Sequence, residues 1–147
     1  MIRFFVLMFA FGIFSASVAA EELTGRARAI DGQAIKVAGV SVRLFGVDAP
    51  DLAQKCTTKK GKSQNCGDLA RQMLDSLTKN VKVKCTSVKK DADGTPVVSC
   101  YAGPFDINEQ MVASGWANAM RGESDKYVRA ENFARARSEG MWRNVVE

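Results

Sequence analysis

The stretch from Ala29 to Asp51 constrains the fold more than any other part of this 147-residue chain. Its sequence, AIDGQAIKVAGVSVRLFGVDAPD, places short alternating runs around turn signals at Asp31-Gly32 and Gly39. Alternation is typical of half-buried strands, and Asp-Gly is a strong hairpin signal. Pro50 ends the last run because proline cannot donate to a strand ladder. We therefore predict three strands joined by tight turns, at residues 25–30, 34–37 and 40–47.

Three charged side chains stand at the end of this stretch. Arg43 falls among apolar neighbours on the third predicted strand, while Asp48 and Asp51 flank Pro50 at its exit. A partly buried arginine requires an anionic partner from the protein or from a ligand. The residues alone leave open whether Arg43 binds a ligand or pairs with Asp48 or Asp51. They also leave open whether the two carboxylates serve a site or only a turn and a cap.

The rest of the chain predicts two more strands and three helices. Asn65 is a suitable helix N-cap, and Asp106 with Glu109 resembles a capping box. The third helix would bury Tyr127, Ala130, Phe133 and Ala134. We predict strands at residues 81–85 and 97–101, helices at 65–80, 106–114 and 125–140, and a lysine-rich loop at 52–64. This order predicts one α+β domain built on a five-stranded OB-type β-barrel with three α-helices.

The first twenty residues predict an export signal. Arg3 is the only charge before Glu21, and Phe4–Phe14 is an apolar run broken only by Gly12. This order is typical of a secretory signal peptide, and the run is too short to span a membrane. We expect cleavage near Ala20, leaving a monomer without a stable membrane anchor in the periplasm or the medium. A retained N-terminus is the alternative.

Four cysteines and the absence of histidine limit the chemistry. An even number of cysteines in an exported chain indicates two disulfides, with three possible connectivities. Cys85 and Cys100 lie on two predicted strands joined by a turn, and Cys56 and Cys66 bracket the basic loop, so we expect Cys56–Cys66 and Cys85–Cys100. Zinc is the alternative, although the spacings are not paired and no histidine is present. Any general base must be a carboxylate, lysine or tyrosine.

Positive charge is concentrated in two lysine clusters, within a formal net charge of +5. The clusters are Lys55, Lys59, Lys60 and Lys62, and Lys79, Lys82, Lys84, Lys89 and Lys90. Such clusters suit a polyanion, whether nucleic acid, acidic polysaccharide or an anionic membrane surface. A solvated surface that keeps the protein soluble is the alternative. The predicted polyanion contacts are Arg43, Lys59, Lys60, Lys62, Lys82 and Lys84.

Several motifs together resemble the staphylococcal nuclease (thermonuclease) family. They are Asp31-Gly32, Val42-Arg43-Leu44, Val47-Asp48-Ala49-Pro50-Asp51, the predicted helix 106–114 with Gly115-Trp116-Ala117, and the terminal Gly140-Met141-Trp142. The likeness covers residues 24–143, and the four cysteines resemble an exported, disulfide-bearing bacterial subgroup. The resemblance implies the OB-type fold and calcium-dependent hydrolysis of phosphodiesters in DNA and RNA.

The resemblance also implies site residues. Asp48 matches a calcium ligand, Arg43 matches a phosphate-binding arginine, and Asp51 stands where the family has a glutamate that acts on water. Calcium prefers oxygen ligands, and arginine neutralises charge that builds on phosphate. Three positions depart from the family pattern. Gln33 replaces a ligand aspartate, Asp51 is one methylene shorter than glutamate, and Thr95 replaces a second arginine. Losing such an arginine can cost roughly 10³–10⁵ in rate.

Three functions stay open at this point. The first is an exported nuclease-like domain with a degenerate site that binds nucleic acid or another polyanion, with weak or no hydrolysis and no cofactor. The second is an active, calcium-dependent endonuclease that uses Arg43, Asp48 and Asp51. The third is a structural or interaction protein of the cell envelope. The three departures favour the first.

Overall fold

The computed structural model of this protein describes residues 20–144. The predicted signal peptide therefore lies outside the described residues, apart from Ala20. Within residues 20–144, no helix is both long and apolar enough to cross a membrane.

The described chain contains eleven short strands and three α-helices. The strands are β1 (Glu22–Gly25), β2 (Ala27–Ala29), β3 (Ala34–Val37), β4 (Val40–Leu44), β5 (Val47–Asp48), β6 (Lys55–Thr57), β7 (Ser63–Asn65), β8 (Val83–Lys90), β9 (Pro96–Ala102), β10 (Phe105–Asp106) and β11 (Asn118–Ala119). The helices are α1 (Cys66–Thr78), α2 (Ile107–Ala113) and α3 (Val128–Ala136), followed by a 3-10 helix (Gly140–Asn144).

One curled sheet carries most of these strands, in the order β1-β8-β9-β4-β3-β2, with β10 added to β9. Its neighbours are antiparallel except β4 and β9, which run parallel with Arg43 opposite Val97. Strands β1 and β2 form the two edges of this path, yet Arg26 alone separates them along the chain. The sheet must therefore curl back on itself, although its ladder is not closed within residues 20–144. This confirms the predicted α+β, OB-type architecture.

The strand count was predicted too low because short polar strands carry little alternation signal. The lysine-rich segment 52–64, predicted as a loop, contains β6 and most of the hairpin strand β7. The predicted strand 25–30 is interrupted at Arg26. Gly25 belongs to β1, which pairs with β8, and residues 27–29 form β2, which pairs with β3. The link predicted at Trp116-Ala117 leads into β11, which pairs with β5. This last pair brings Asn118 opposite Asp48.

Helices α1 and α2 begin where capping side chains were predicted, whereas α3 begins at Val128, later than predicted and without a side-chain cap. Asn65 accepts a hydrogen bond from Asp68 N at 3.1 Å, and Asp106 accepts one from Glu109 N at 3.1 Å. Such caps satisfy backbone donors that have no partner within the helix. Phe133 was wrongly assigned to the buried face of α3, since it is 54% exposed.

The core lies between the inner face of the curled sheet and the apolar faces of the three helices. Strand side chains that point inward meet helix residues at the spacing that the periodicity predicts. The core includes Ile35, Val37, Val42, Leu44, Leu74, Val98, Met111, Tyr127 and Ala130. Burial of this inner face leaves alternate residues of β2, β3 and β4, including Arg43, on the outer side.

Both predicted disulfides are confirmed. Cys56 and Cys66 join strand β6 to the start of α1, and Cys85 and Cys100 join directly opposed residues of β8 and β9. Each bridge closes a loop of 10–15 residues, which limits the entropy of the unfolded chain. Disulfides persist in oxidising compartments, so the two bridges are compatible with an exported protein.

Candidate functional site

Arg43 is held by carboxylates from two distant parts of the chain. Its Nε donates to Asp91 at 2.8 Å and its Nη2 donates to the same carboxylate at 3.2 Å. Its Nη1 donates to Glu123 at 3.3 Å, and Nη2 forms a second, short contact with Glu123. The Arg43 side chain is only 18% exposed. Arg43 thus pairs with Asp91 and Glu123, and not with Asp48 or Asp51, the partners that the sequence had left open.

The Glu123 carboxylate accepts hydrogen bonds from three residues. Besides Arg43, it accepts from Lys89 Nζ at 2.8 Å and from Gly46 N at 2.7 Å. Burial raises the pKa of Glu123, but the hydrogen bonds from Arg43, Lys89 and Gly46 outweigh it and lower that pKa to about 2. The carboxylate is therefore ionised at physiological pH, and its charge offsets the charge of Arg43.

The pKa values of Arg43 and Asp91 also shift, each in the direction that favours the charged form. The hydrogen bonds that Arg43 donates to Asp91, and then to Glu123, raise the pKa of Arg43. The hydrogen bond from Arg43 is the main reason that the pKa of Asp91 lies below its usual range. We name Arg43, Lys89, Asp91 and Glu123 the arginine cluster. Sequence reasoning found Arg43 but missed its partners, and the only available signal was that a buried arginine requires anions.

The turn that follows Asp91 faces this cluster. Asp91 N donates to Thr95 O at 2.9 Å, and Gly94 N donates to Asp91 O at 2.9 Å. Asp93 accepts from Thr95 N at 3.0 Å, which is the main reason that its pKa is lowered. The tight turn thus holds the Asp91 carboxylate toward Arg43. Thr95, where the resemblance implies a second arginine, adds no positive charge to the site.

Asp31 and Gln33 are committed to backbone contacts. Asp31 accepts from Gln33 N and from Ala34 N, both at 2.8 Å, which is the role of a turn residue. Gln33 Oε1 accepts from Ala49 N at 3.0 Å. Gln33 Oε1, at the position where the family has a ligand aspartate, therefore links the Asp31-Gly32 turn to the segment that carries Asp48.

Asp48 and Asp51 lie at the surface, on the segment that leaves β5. Asp48 lines a small cleft of about 130 Å³ that also includes Ala49, Pro50, Gln54, Asn118 and Met141. Asn118, directly opposite Asp48 in the β5–β11 pair, buries its Oδ1 without a hydrogen-bond partner in the described part of the chain. Asp51 is exposed, and its backbone N donates to the Gln54 side chain at 3.2 Å.

The oxygen ligands available near Asp48 do not fit a calcium centre. Calcium takes six to eight oxygen ligands, with several carboxylates in sites of high affinity. Across residues 20–144, no three carboxylate or cysteine side chains gather closely enough to hold a metal ion. The Asp31 carboxylate and the Gln33 amide oxygen already accept backbone hydrogen bonds. Asp48 is the one predicted metal ligand, and it brings a single charge.

The predicted lysine contacts lie in different places. Lys59, Lys60 and Lys62 are exposed on the β6–β7 hairpin, away from any ion pair among the described residues. Lys84 forms an exposed ion pair with Glu22 at 3.0 Å. Lys82 borders an apolar groove with Phe105. The hairpin lysines are therefore the members of the predicted set that offer a cluster of uncompensated charge.

Gly67 allows α1 to begin directly against the Asp51 segment. A Cβ at this position would lie 1.8 Å from the carbonyl oxygen of Asp51. We expect Gly67→Ala to lower the free energy of unfolding by about 2 kcal/mol and to shift the backbone at Asp51. The backbone at the start of α1 and the backbone at Asp51 must move apart to make room for the methyl group. Urea denaturation and NMR amide shifts measure the two effects. Gly122→Ala, which meets no atom within 4 Å, should change stability by less than about 0.5 kcal/mol, and an equal loss there would contradict the explanation.

Comparison with known proteins places this chain among nuclease-like proteins. The profile of the family described as "Staphylococcal nuclease homologue" matches residues 41–144. The succinoglycan biosynthesis protein ExoI of Rhizobium meliloti is 34% identical over 134 residues, which cover 88% of this chain and 69% of that protein. A probable endonuclease, LCL3, of Paracoccidioides brasiliensis is 26% identical over 121 residues, and the match spans only 34% of its length.

A further relative is an uncharacterized endonuclease of Haemophilus influenzae, 28% identical over 105 residues that cover 70% of this chain and 53% of that protein. The profile match extends from β4 to the 3-10 helix and includes Arg43, Asp48, Asp51, Asp91 and Glu123. The coverage of two thirds of ExoI and the length of the profile match agree. This chain belongs to the staphylococcal nuclease homologue family.

Proposed function

We propose that this protein binds nucleic acid or another polyanion through a nuclease-like fold whose catalytic site is degenerate, with weak or no phosphodiester hydrolysis. The observation that carries the proposal is the pairing of Arg43 with Asp91 and Glu123. A guanidinium that already holds two carboxylates has few donors left for a phosphate, and both carboxylates repel one.

The metal side of the site supports the same proposal. Nucleases of this family generally depend on calcium. Here Asp48 offers one carboxylate, while Gln33 Oε1 is engaged by Ala49 N. A neutral, occupied oxygen weakens divalent binding, and Asp51 is one methylene shorter than the glutamate that would orient water in the family. Phosphate activation and metal binding are thus both reduced.

The exposed lysines of the β6–β7 hairpin supply the binding surface. Lys59, Lys60 and Lys62 project from a short hairpin that the Cys56–Cys66 disulfide fastens to α1. Cations that contact a phosphate backbone release counterions, so their binding weakens steeply as salt rises. A fastened hairpin also loses little conformational entropy when it binds.

The proposal is tested with labelled single-stranded DNA and protein purified from the full-length sequence. We expect binding that weakens with salt and no calcium-dependent cleavage. The triple variant Lys59→Gln/Lys60→Gln/Lys62→Gln should bind at least tenfold more weakly at 50 mM salt and reduce the slope of log K against log salt by about 2.

A charge-matched control removes three exposed arginines from the C-terminal region, as Arg129→Gln/Arg137→Gln/Arg143→Gln. This control should keep most of the affinity, and an equal loss would show that only net charge matters. Calcium-dependent cleavage that Asp51→Ala abolishes would overturn the degenerate-site proposal. Absence of salt-sensitive binding would overturn the polyanion proposal and leave a structural role.

An active endonuclease is the second candidate. Two of the relatives described above carry the word endonuclease in their names, and Asp48 and Asp51 are both exposed. The cleavage arm of the same experiment separates this candidate from the first.

A further inference from the structure

A strongly basic pocket, distinct from the Asp48 cleft, lies where the two edges of the curled sheet meet. It has a volume of about 540 Å³ and is bordered by β2, β3, the turn at Gly39 and the end of α1. Four cationic side chains line it, together with one carboxylate: Arg26, Arg28, Lys36, Lys79 and Asp75. The lining groups therefore carry a net charge of +3.

These cations are not compensated by the protein. Among residues 20–144, none of the four lies within ion-pairing distance of a carboxylate, although other exposed arginines and lysines do. Arg28 and Lys36 are moreover direct partners in the β2–β3 pair. Like charges in directly opposed positions destabilise an antiparallel pair. Their placement costs stability in the free protein, which an anionic ligand would offset.

The basic pocket is separate from both surfaces described above. It shares no lining residue with the Asp48 cleft, and it contains none of the hairpin lysines. Lys36 follows Ala34, the strand partner of Arg43, by two residues, a spacing of about 7 Å along a strand. The arginine cluster is neutralised by Asp91 and Glu123, whereas this neighbouring pocket keeps its charge.

We propose that the pocket between Arg26, Arg28, Lys36 and Lys79 binds two closely spaced phosphate groups, of the kind carried by pyrophosphate or a nucleoside diphosphate. The net charge of +3 matches such a group, and two guanidinium forks suit bidentate phosphate contacts. The volume falls in the range of ligand pockets and exceeds what one small ion requires. This goes beyond polyanion binding by the hairpin, since it assigns a compact ligand to a different place.

The carboxylate of Asp75 gives the proposal a sign test. Asp75 lies on α1 beside Lys79, so it repels a phosphate group while the four cations attract it. With pyrophosphate, which has no ribose hydroxyl groups to contact the carboxylate, Asp75→Asn should bind about fivefold more tightly because a repelling charge is removed. Arg28→Gln/Lys36→Gln should bind about 25-fold more weakly, at about fivefold for each charge removed.

The experiment uses protein purified from the full-length sequence and measures Tm and calorimetric binding with pyrophosphate. At one hundred times the Kd, pyrophosphate should raise Tm by about 5–10 °C. Without ligand, Arg28→Gln/Lys36→Gln should unfold at the same temperature as the wild type or higher, because a repulsive pair is removed. Arg129→Gln, which removes an exposed charge on α3, is the matched control and should bind normally.

Several results would overturn the proposal. They are an absence of pyrophosphate binding, a loss of affinity in the Arg129→Gln control as large as in Arg28→Gln/Lys36→Gln, or weaker pyrophosphate binding by Asp75→Asn than by the wild type. Equal stabilisation by citrate would show a general trivalent-anion site in place of a phosphate site. If a single-stranded oligonucleotide binds to the pocket and pyrophosphate does not, the phosphate groups come from nucleic acid, and the compact-ligand proposal fails.

Discussion

Replacing Glu123 by glutamine is expected to lower the free energy of unfolding at pH 7 by about 3 kcal/mol. The side chain is only 8% exposed, and its carboxylate accepts from Arg43, Lys89 and the backbone of Gly46. Its pKa falls from 4.5 to about 2, and each unit corresponds to about 1.4 kcal/mol of preference for the charged form in the folded state. Glutamine removes that charge and leaves Arg43 with Asp91 alone. Urea denaturation at pH 7 measures the loss.

The pH dependence separates this explanation from simple loss of packing. Since the folded pKa of Glu123 lies below the unfolded value, its contribution is complete above about pH 5 and is lost as the pH falls toward 2. The difference between wild type and Glu123→Gln should therefore shrink between pH 5 and pH 2. Glu139→Gln, at an exposed pair 3.7 Å from Arg137, is the control and should cost less than about 0.5 kcal/mol. A difference that stays constant with pH would argue against the electrostatic explanation.

The same variant has a functional consequence. If Glu123 withholds Arg43 from ligands, Glu123→Gln should bind single-stranded DNA more tightly than the wild type, although it is less stable. About fivefold is expected for one charge at the edge of the protein. Stability and affinity would then change in opposite directions, which a general loss of structure cannot produce.

Local patterns predicted most of the fold. Alternation identified β3 within its observed bounds, capping residues placed the starts of α1 and α2, and the chain positions of the four cysteines identified both disulfides. These features depend on residues a few positions apart, or on one hairpin. The β6–β7 hairpin was missed because its residues are polar and its strands are short.

The arginine cluster was not predictable in the same way. Asp91 lies 48 residues after Arg43 and Glu123 lies 80 residues after it, and neither stands in a pattern that signals a partner. Only the parallel pairing of β4 with β9, and the return of the chain after β11, bring the three together. The family motif around Arg43 and Asp48 identified the scaffold. The chemistry depended on tertiary contacts that the motif does not contain.

Asn108 connects the end of the motif-bearing strand to the rest of the barrel. It is fully buried on α2, where its amide nitrogen donates to Phe45 O at 2.9 Å and Val98 O at 3.0 Å. Its Oδ1 accepts from Cys100 N at 3.0 Å. One side chain thus continues the β4–β9 pairing past the point where the strands separate. It fixes the strand end two residues after Arg43.

Asn108→Ala is therefore expected to lower the free energy of unfolding by about 3–4 kcal/mol. Cys100 N and Phe45 O would lose their partners inside the protein, and each buried unpaired group costs about 1–3 kcal/mol. Asn108→Asp keeps the size and the acceptor, but it places a carboxylate against two carbonyl oxygens, so it should be at least as destabilising at pH 7 and recover part of the loss in acid. Tryptophan fluorescence during urea unfolding measures both, with exposed Asn132→Ala as the matched control. A loss below about 1 kcal/mol in Asn108→Ala would mean that water replaces the amide, and that β4 is held to β9 by its ladder alone.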